Sequence, residues 1–213
     1  MPRIDIKICG LSTPETVGVA LRAGATHLGF VHFPKSPRHV GAEQMRDLSA
    51  AVPAHVGRVA VLVDPADDVL GALAATGALT AFQLHGSESP QRVAAVRARF
   101  GLPVWKAIAV KTSADLDAGK AFAGAADRLL FDAKTPEGTL PGGMGLRFDW
   151  TLLRGAQPAL PWGLSGGLDA ANVAEAIRIT GAPLVDVSSG VESAPGVKDV
   201  DKIVAFCKAV AAC

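Results

Sequence analysis

Three cysteines, Cys9, Cys207 and Cys213, are too scattered and odd in number for a disulfide framework or a cysteine metal knuckle, and they suit a reducing compartment. An excess of one charge sign is also lacking. Twenty-one Lys plus Arg against 20 Asp plus Glu leave a formal charge of +1, which gives no global attraction for nucleic acid or an anionic membrane. No apolar run reaches the ~20 residues a membrane helix needs, and the chain opens on a charged strand pattern, not a basic-then-apolar leader. The expectation is a cytoplasmic protein whose anion binding, if any, is local. The five histidines, His27, His32, His39, His55 and His85, show neither H-x-H nor H-E-x-x-H spacing, so no metal site is expected. No linker, low-complexity tract or half-chain repeat stands out. At 213 residues, 49% hydrophobic, the chain is long enough to bury a large core in one domain spanning residues 1–213.

What the sequence does contain is an alternation. Short β-branched runs, expected as strands at 3–9, 27–31, 57–63, 78–84, 104–110, 128–133, 160–164 and 184–187, alternate with Ala-rich segments of helical period at 14–23, 43–51, 65–76, 89–100, 113–124 and 170–179. Thr13, Asp64, Ser87 and Asp169 stand at or near the expected helix starts, and Gly24, Gly77, Gly101 and Gly181 at their ends. A βαβα order implies a parallel sheet. Eight units in this length fit a minimal (β/α)₈ TIM barrel, for which about 200 residues is the lower limit, better than an open doubly wound sheet. A final helix at 199–212, with Ile203, Val204, Phe206 and Val210 on one face, can close the ring beside the first strand. The Gly- and Pro-rich stretch 134–149 follows strand six, where a barrel places a functional loop.

Side chains alternate between barrel axis and helix layer, so parity assigns faces. Ile4, Ile6 and Ile8 face outward, which leaves Asp5, Lys7 and Cys9 inward, with Cys9 at the C-terminal rim where barrel enzymes keep their chemistry. By the same parity Gln83 and His85, Asp132, and Asp186 with Ser188 turn inward. Cys9, His85, Asp132 and Asp186 therefore converge on one rim from four strands. His85 can be a hydrogen-bonded core histidine or a substrate contact. Asp186 can pair with interior Lys7, Arg58 or Lys106, or reach substrate hydroxyls. Cys207 and Cys213 read as ordinary small residues with no part in the site.

After strand seven comes LSGGLD (164–169), and after strand eight SSGVE (188–192). Glycines let backbone N–H groups approach an anion closely, and loops seven and eight are where phosphate-binding barrels build that grip. Gly166, Gly167, Ser188, Ser189 and Gly190 are the expected cradle for a small phosphorylated ligand.

KICG (7–10), GFVHFPKSPR (29–38), QLHG (83–86), the Asp of LLFDAK (132), GGMGLRFDW (142–150), LSGGL (164–168) and DVSSGVESAPGVKD (186–199), in this order, resemble phosphoribosylanthranilate isomerase of tryptophan biosynthesis along nearly the whole chain. The resemblance implies a (β/α)₈ barrel that converts N-(5-phospho-β-D-ribosyl)anthranilate to 1-(2-carboxyphenylamino)-1-deoxy-D-ribulose 5-phosphate by an Amadori rearrangement, with no cofactor and no metal. It implies Cys9 as general base, Asp132 as general acid, Arg38 as a contact of the anthranilate, and loops seven and eight as the phosphate cradle. Met144 departs from the family pattern, which usually has a small Thr or Ser there.

The chemistry asks for the same groups. Opening the ribose ring needs a proton on the ring oxygen, and the Schiff base so formed needs a base at C2. A thiol has a reference pKa of about 8.5, and Lys7, ~7 Å back along the strand, is expected to favour the thiolate by at most about 1–2 pK units. Competing readings are a phosphate-gripping epimerase or indole-forming synthase, a non-catalytic sugar-phosphate sensor, and a broader isomerase with a second phosphate grip; only one grip is visible. Balanced charge and a complete barrel make a monomer the expectation.

Overall fold

The computed structural model describes residues 3–136, 142 and 145–213. Eight parallel strands pair in chain order and close into a barrel: β1 (Asp5–Cys9), β2 (His27–Val31), β3 (Gly57–Leu62), β4 (Ala81–Leu84), β5 (Val104–Val110), β6 (Arg128–Ala133), β7 (Trp162–Leu164) and β8 (Leu184–Val187). Register sets the geometry of the rim: Cys9 stands opposite Gly29 of β2, and Lys7 opposite Asp186 of β8. The outer layer holds α1 (Pro14–Arg22), α2 (Ala42–Ser49), α3 (Asp67–Ala75), α4 (Pro90–Phe100), α5 (Ser113–Ala118), α6 (Val173–Thr180) and α7 (Val200–Ala211). A small hairpin, β9 (Glu192–Ala194) and β10 (Val197–Lys198), precedes α7.

Local chemistry explains where the helices start and stop. The Thr13 hydroxyl accepts from Thr16 N–H, Ser89 from Arg92 N–H, and the Asp199 carboxylate from Asp201 and Lys202 N–H. Each satisfies backbone donors that the first helical turn leaves free. Gly101 and Gly181 end α4 and α6 in the left-handed conformation. Asp64 and Ser87 do not cap helices: Asp64 takes φ 44°, and its carboxylate accepts the Ser87 N–H, so the pair ties the loops after β3 and β4 together. β4 begins three residues later than expected, because Thr80 engages Arg58 N–H and C=O through its hydroxyl. The fifth helix is α5 followed by a 3₁₀ turn, Gly119–Phe122, where a Cβ on Gly119 would meet Leu129 at 3.1 Å. Among the described residues between β6 and β7 the helical piece is a 3₁₀ turn, Trp150–Leu153, and Gly155, Pro158 and Pro161 interrupt any longer helix after it.

Parity holds. Ile6, Ile8, Leu28, Phe30, Phe82, Phe131 and Val185 join the core between strands and helices, while Val59, Ala81, Trp105, Ala107, Leu130 and Leu184 fill the barrel axis. Fully burying one such large side chain is worth roughly 1.5–3 kcal/mol. That apolar plug supports a polar upper layer of buried Lys7, Gln83, Lys106, Asp132 and Asp186. Two ion pairs, Lys7 with Asp186 at 2.9 Å and Lys106 with Glu88 at 3.1 Å, compensate buried charge there.

Candidate active site

Cys9 ends β1 on the barrel axis, and two glycines make its position possible. A Cβ on Gly29 would lie 3.0 Å from the Cys9 Sγ and from the Lys7 Nζ. Gly10 turns the chain at φ 78°, and a Cβ there would lie 2.7 Å from the Arg38 Cδ and 3.3 Å from the Lys198 Nζ. The thiol is buried, and burial holds its pKa above the ordinary value; Lys7 and Lys198 pull it down, while Asp186 adds to the rise. Lys7 therefore acts in the expected direction but does not prevail. Its ammonium is engaged by Asp186 at 2.9 Å, which answers which interior cation that aspartate pairs with.

Across the cleft, Asp132 at the end of β6 accepts the Ala133 N–H on Oδ1 at 2.9 Å and faces His85 Nε2 with Oδ2 at 3.0 Å. The Gln83 amide nitrogen lies 3.2 Å from His85 Nδ1, which fits a tautomer whose Nε2–H donates to Asp132. His85 is thus first a partner of Asp132. Gly142 and Gly166 crowd the same carboxylate: a Cβ on Gly142 would lie 3.1 Å from Oδ2, and one on Gly166 2.9 Å from Oδ1. Met144 lies outside the described residues.

Cys9, Arg38, His85, Asp132 and Asp186 line one cleft of about 580 Å³. An adjoining pocket of about 340 Å³ runs from Asp132 and Asp186 to Gly166, Gly167, Ser188 and Ser189. Gly190 plays a different part, since any Cβ on it would collide with the Leu168 carbonyl; it lets loop eight pack directly on loop seven. Among the described residues no three His, Cys, Asp or Glu side chains cluster to hold a metal ion, and no helix there is long and apolar enough to cross a membrane.

Arg38 is buried and bidentate on Glu192, with Nε to Oε1 and Nη2 to Oε2 both at 2.7 Å. Lys198 Nζ joins the same carboxylate at 2.6 Å and donates to the Ser188 carbonyl at 2.9 Å. The sequence reading turned Gln83 inward and placed Lys106 in the interior without giving either its partner, and it assigned no part to Glu192, Lys198 or Glu88. Glu192 and Lys198 lie within the stretch DVSSGVESAPGVKD, but strand parity says nothing about a hairpin that folds back over the rim.

The profile of the family described as N-(5'-phosphoribosyl)anthranilate (PRA) isomerase matches residues 6–209. The chain belongs to this family. Among PRA isomerases it is 57% identical to one from Azorhizobium caulinodans over 98% of this chain and 92% of that one, and 54% identical to one from Zymomonas mobilis subsp. pomaceae over 97% and 98%. It is also similar to the crystal structure of the enzyme from Thermotoga maritima, with a TM-score of 0.88 at 35% identity and full coverage of both chains. A PRA isomerase solved in complex with reduced 1-(o-carboxyphenylamino)-1-deoxyribulose 5-phosphate gives a TM-score of 0.85 at 33% identity, again with full coverage of both.

Proposed function

We propose that this chain isomerises N-(5-phospho-β-D-ribosyl)anthranilate to 1-(2-carboxyphenylamino)-1-deoxy-D-ribulose 5-phosphate in tryptophan biosynthesis, with Asp132 as general acid and Cys9 as general base. The observation that carries it is the convergence of Cys9 and Asp132 in one cleft that continues into the pocket of loops seven and eight.

With its phosphate between Gly166–Gly167 and Ser188–Ser189, the ligand's ribose lies between Asp132 and Cys9, and its aminobenzoate extends toward Arg38. Asp132, supported by His85, passes a proton to the ring oxygen as the C1–O bond breaks, which leaves a protonated Schiff base at C1. Cys9 removes the C2 proton, whose electron pair moves to form the enolamine. Protonation at C1 and loss of the O2 proton give the ketone, so no external oxidant or reductant is needed. Asp186 supports the floor through Lys7, and its place on both pockets makes it a candidate contact for ribose hydroxyls. Arg38, oriented by Glu192, is the candidate partner for the anthranilate carboxylate.

Balanced charge and a complete single barrel support a monomer as the working unit over residues 1–213. Balanced charge and unpaired cysteines support a cytoplasmic location. The assay uses substrate labelled with ¹³C at C2, and the wild-type protein is expected to convert that carbon from a ring carbinol into a ketone signal. Persistence of the carbinol signal would overturn the assignment.

A further inference from the structure

Close to His85, but outside the cleft, lies a buried ion pair. Lys106 of β5 and Glu88 of the loop after β4 meet at 3.1 Å with side chains 4% and 2% exposed, and neither lines the pocket of Cys9 and Asp132. Their other hydrogen bonds go to the backbone. The Lys106 ammonium donates to the carbonyls of Gly86 at 2.8 Å, Ala107 at 2.9 Å and Leu84 at 3.3 Å. The Glu88 carboxylate accepts the Gly86 N–H at 3.0 Å on Oε2 and 3.2 Å on Oε1, and the Asp64 N–H at 2.9 Å. His85 stands between Leu84 and Gly86, with its own N–H on the Leu62 carbonyl at 2.8 Å. The turn is too close-packed for a side chain on Gly86, whose Cβ would lie 2.5 Å from the Asp64 carboxylate.

We propose that Glu88 and Lys106 are positioning residues for His85 and, through it, for the Asp132 acid. Between them they fix both backbone groups of Gly86 and the carbonyl of Leu84, so the chain on either side of His85 has little freedom to swing the ring. That ring makes two contacts that depend on its aim, Nε2 with Asp132 Oδ2 at 3.0 Å and Nδ1 with the Gln83 amide nitrogen at 3.2 Å. A buried ion pair is seldom more stabilising than well-packed apolar side chains of similar volume, so what this one contributes is geometry. Misplacement by about 1 Å can cost on the order of 10²-fold in rate even when the change lies away from the chemistry. The effect on turnover rests on the isomerase reading; the hold on the ring does not.

The test compares wild type, Glu88→Gln, and the double variant Glu88→Gln with Lys106→Met, which removes both buried charges. At about pH 8, where an ordinary imidazole is neutral, the ¹⁵N resonances of the His85 ring are expected to show the single Nε2–H tautomer in wild type and a mixture in both variants. In each variant kcat is expected to fall about tenfold with KM within about twofold of wild type. The double variant is expected to melt higher than Glu88→Gln without regaining kcat, and it carries the same readouts where the single variant fails to fold. In a His85→Leu background, Glu88→Gln is expected to cost no further kcat. Folded variants with the wild-type ring resonances, a kcat loss of equal size with and without His85, or kcat restored in step with melting temperature would each overturn the proposal. Mixed tautomers in the variants with no isomerase activity in wild type would leave the hold on His85 standing and refute the functional reading. Wild-type turnover with a single tautomer in the variants would do the reverse.

Discussion

Lys7 Nζ lies 2.9 Å from Asp186 Oδ1, the lysine side chain sealed inside the barrel and the aspartate nearly buried at the floor of the cleft. Removing one partner strands the other as a buried charge, which typically costs 3–5 kcal/mol. Asp186→Asn is therefore expected to lower the melting temperature by on the order of 10 °C, and Lys7→Met with Asp186→Leu together to lose much less. Calorimetry on wild type and the two variants checks this. Asp186 also raises the Cys9 pKa, so any folded Asp186→Asn should show a thiol that ionises at lower pH.

The His85–Asp132 contact at 3.0 Å predicts a graded loss of activity. Asp132→Asn removes the proton donor and is expected to cost about 10²–10⁴-fold in kcat. His85→Leu removes only its support, with an expected loss of roughly 10–100-fold and little change in KM. Steady-state kinetics decides, and equal losses would make His85 a full member of the acid rather than its support.

Gly29 tests how tightly the thiol is placed. Gly29→Ala puts a methyl 3.0 Å from the Cys9 Sγ and Cα, so it should cost about 1–3 kcal/mol of stability. It should depress kcat far more than it raises KM. A variant of normal kcat would show that the thiol has room to spare.

The pH dependence of turnover follows from the raised Cys9 pKa. A base that is mostly protonated at neutral pH makes log(kcat/KM) rise with pH, approaching a slope of about one, up to the pKa of that base. The profile is expected to keep rising beyond the ordinary thiol value of about 8.5. A plateau below neutral pH would place the ionising group elsewhere.

At the opposite end of the barrel, burial against Trp105 lowers the His27 pKa to about 4, with Arg128 and Lys7 adding to the shift and Asp5 opposing it. The folded state resists a proton that the unfolded chain accepts below about 6.5, so stability is fully present above that pH and falls between about 6.5 and 4. The loss is on the order of 3 kcal/mol at most. His27→Gln should flatten this limb in urea titrations at pH 7 and pH 4.5.

Much of this was legible in the sequence because strand periodicity carries both fold and rim. β2, β5, β6 and β8 fall where the apolar runs place them, and Cys9, His85, Asp132 and Asp186 reach one cleft by parity alone. Parity says which face a residue takes but not what it meets there. It left Asp186 with three possible cations, of which register selects Lys7. It also gave no access to Glu192 and Lys198, whose places depend on a hairpin, nor to the desolvation that outweighs Lys7 at the thiol.

The most direct measurement of the central claim is the anthranilate fluorescence of the substrate after addition of purified protein. The signal is expected to decay with wild type and to persist with folded Cys9→Ala and with Asp132→Asn over the same interval. An unchanged signal with wild type and substrate demonstrably present, or near-normal decay with Cys9→Ala, would contradict it.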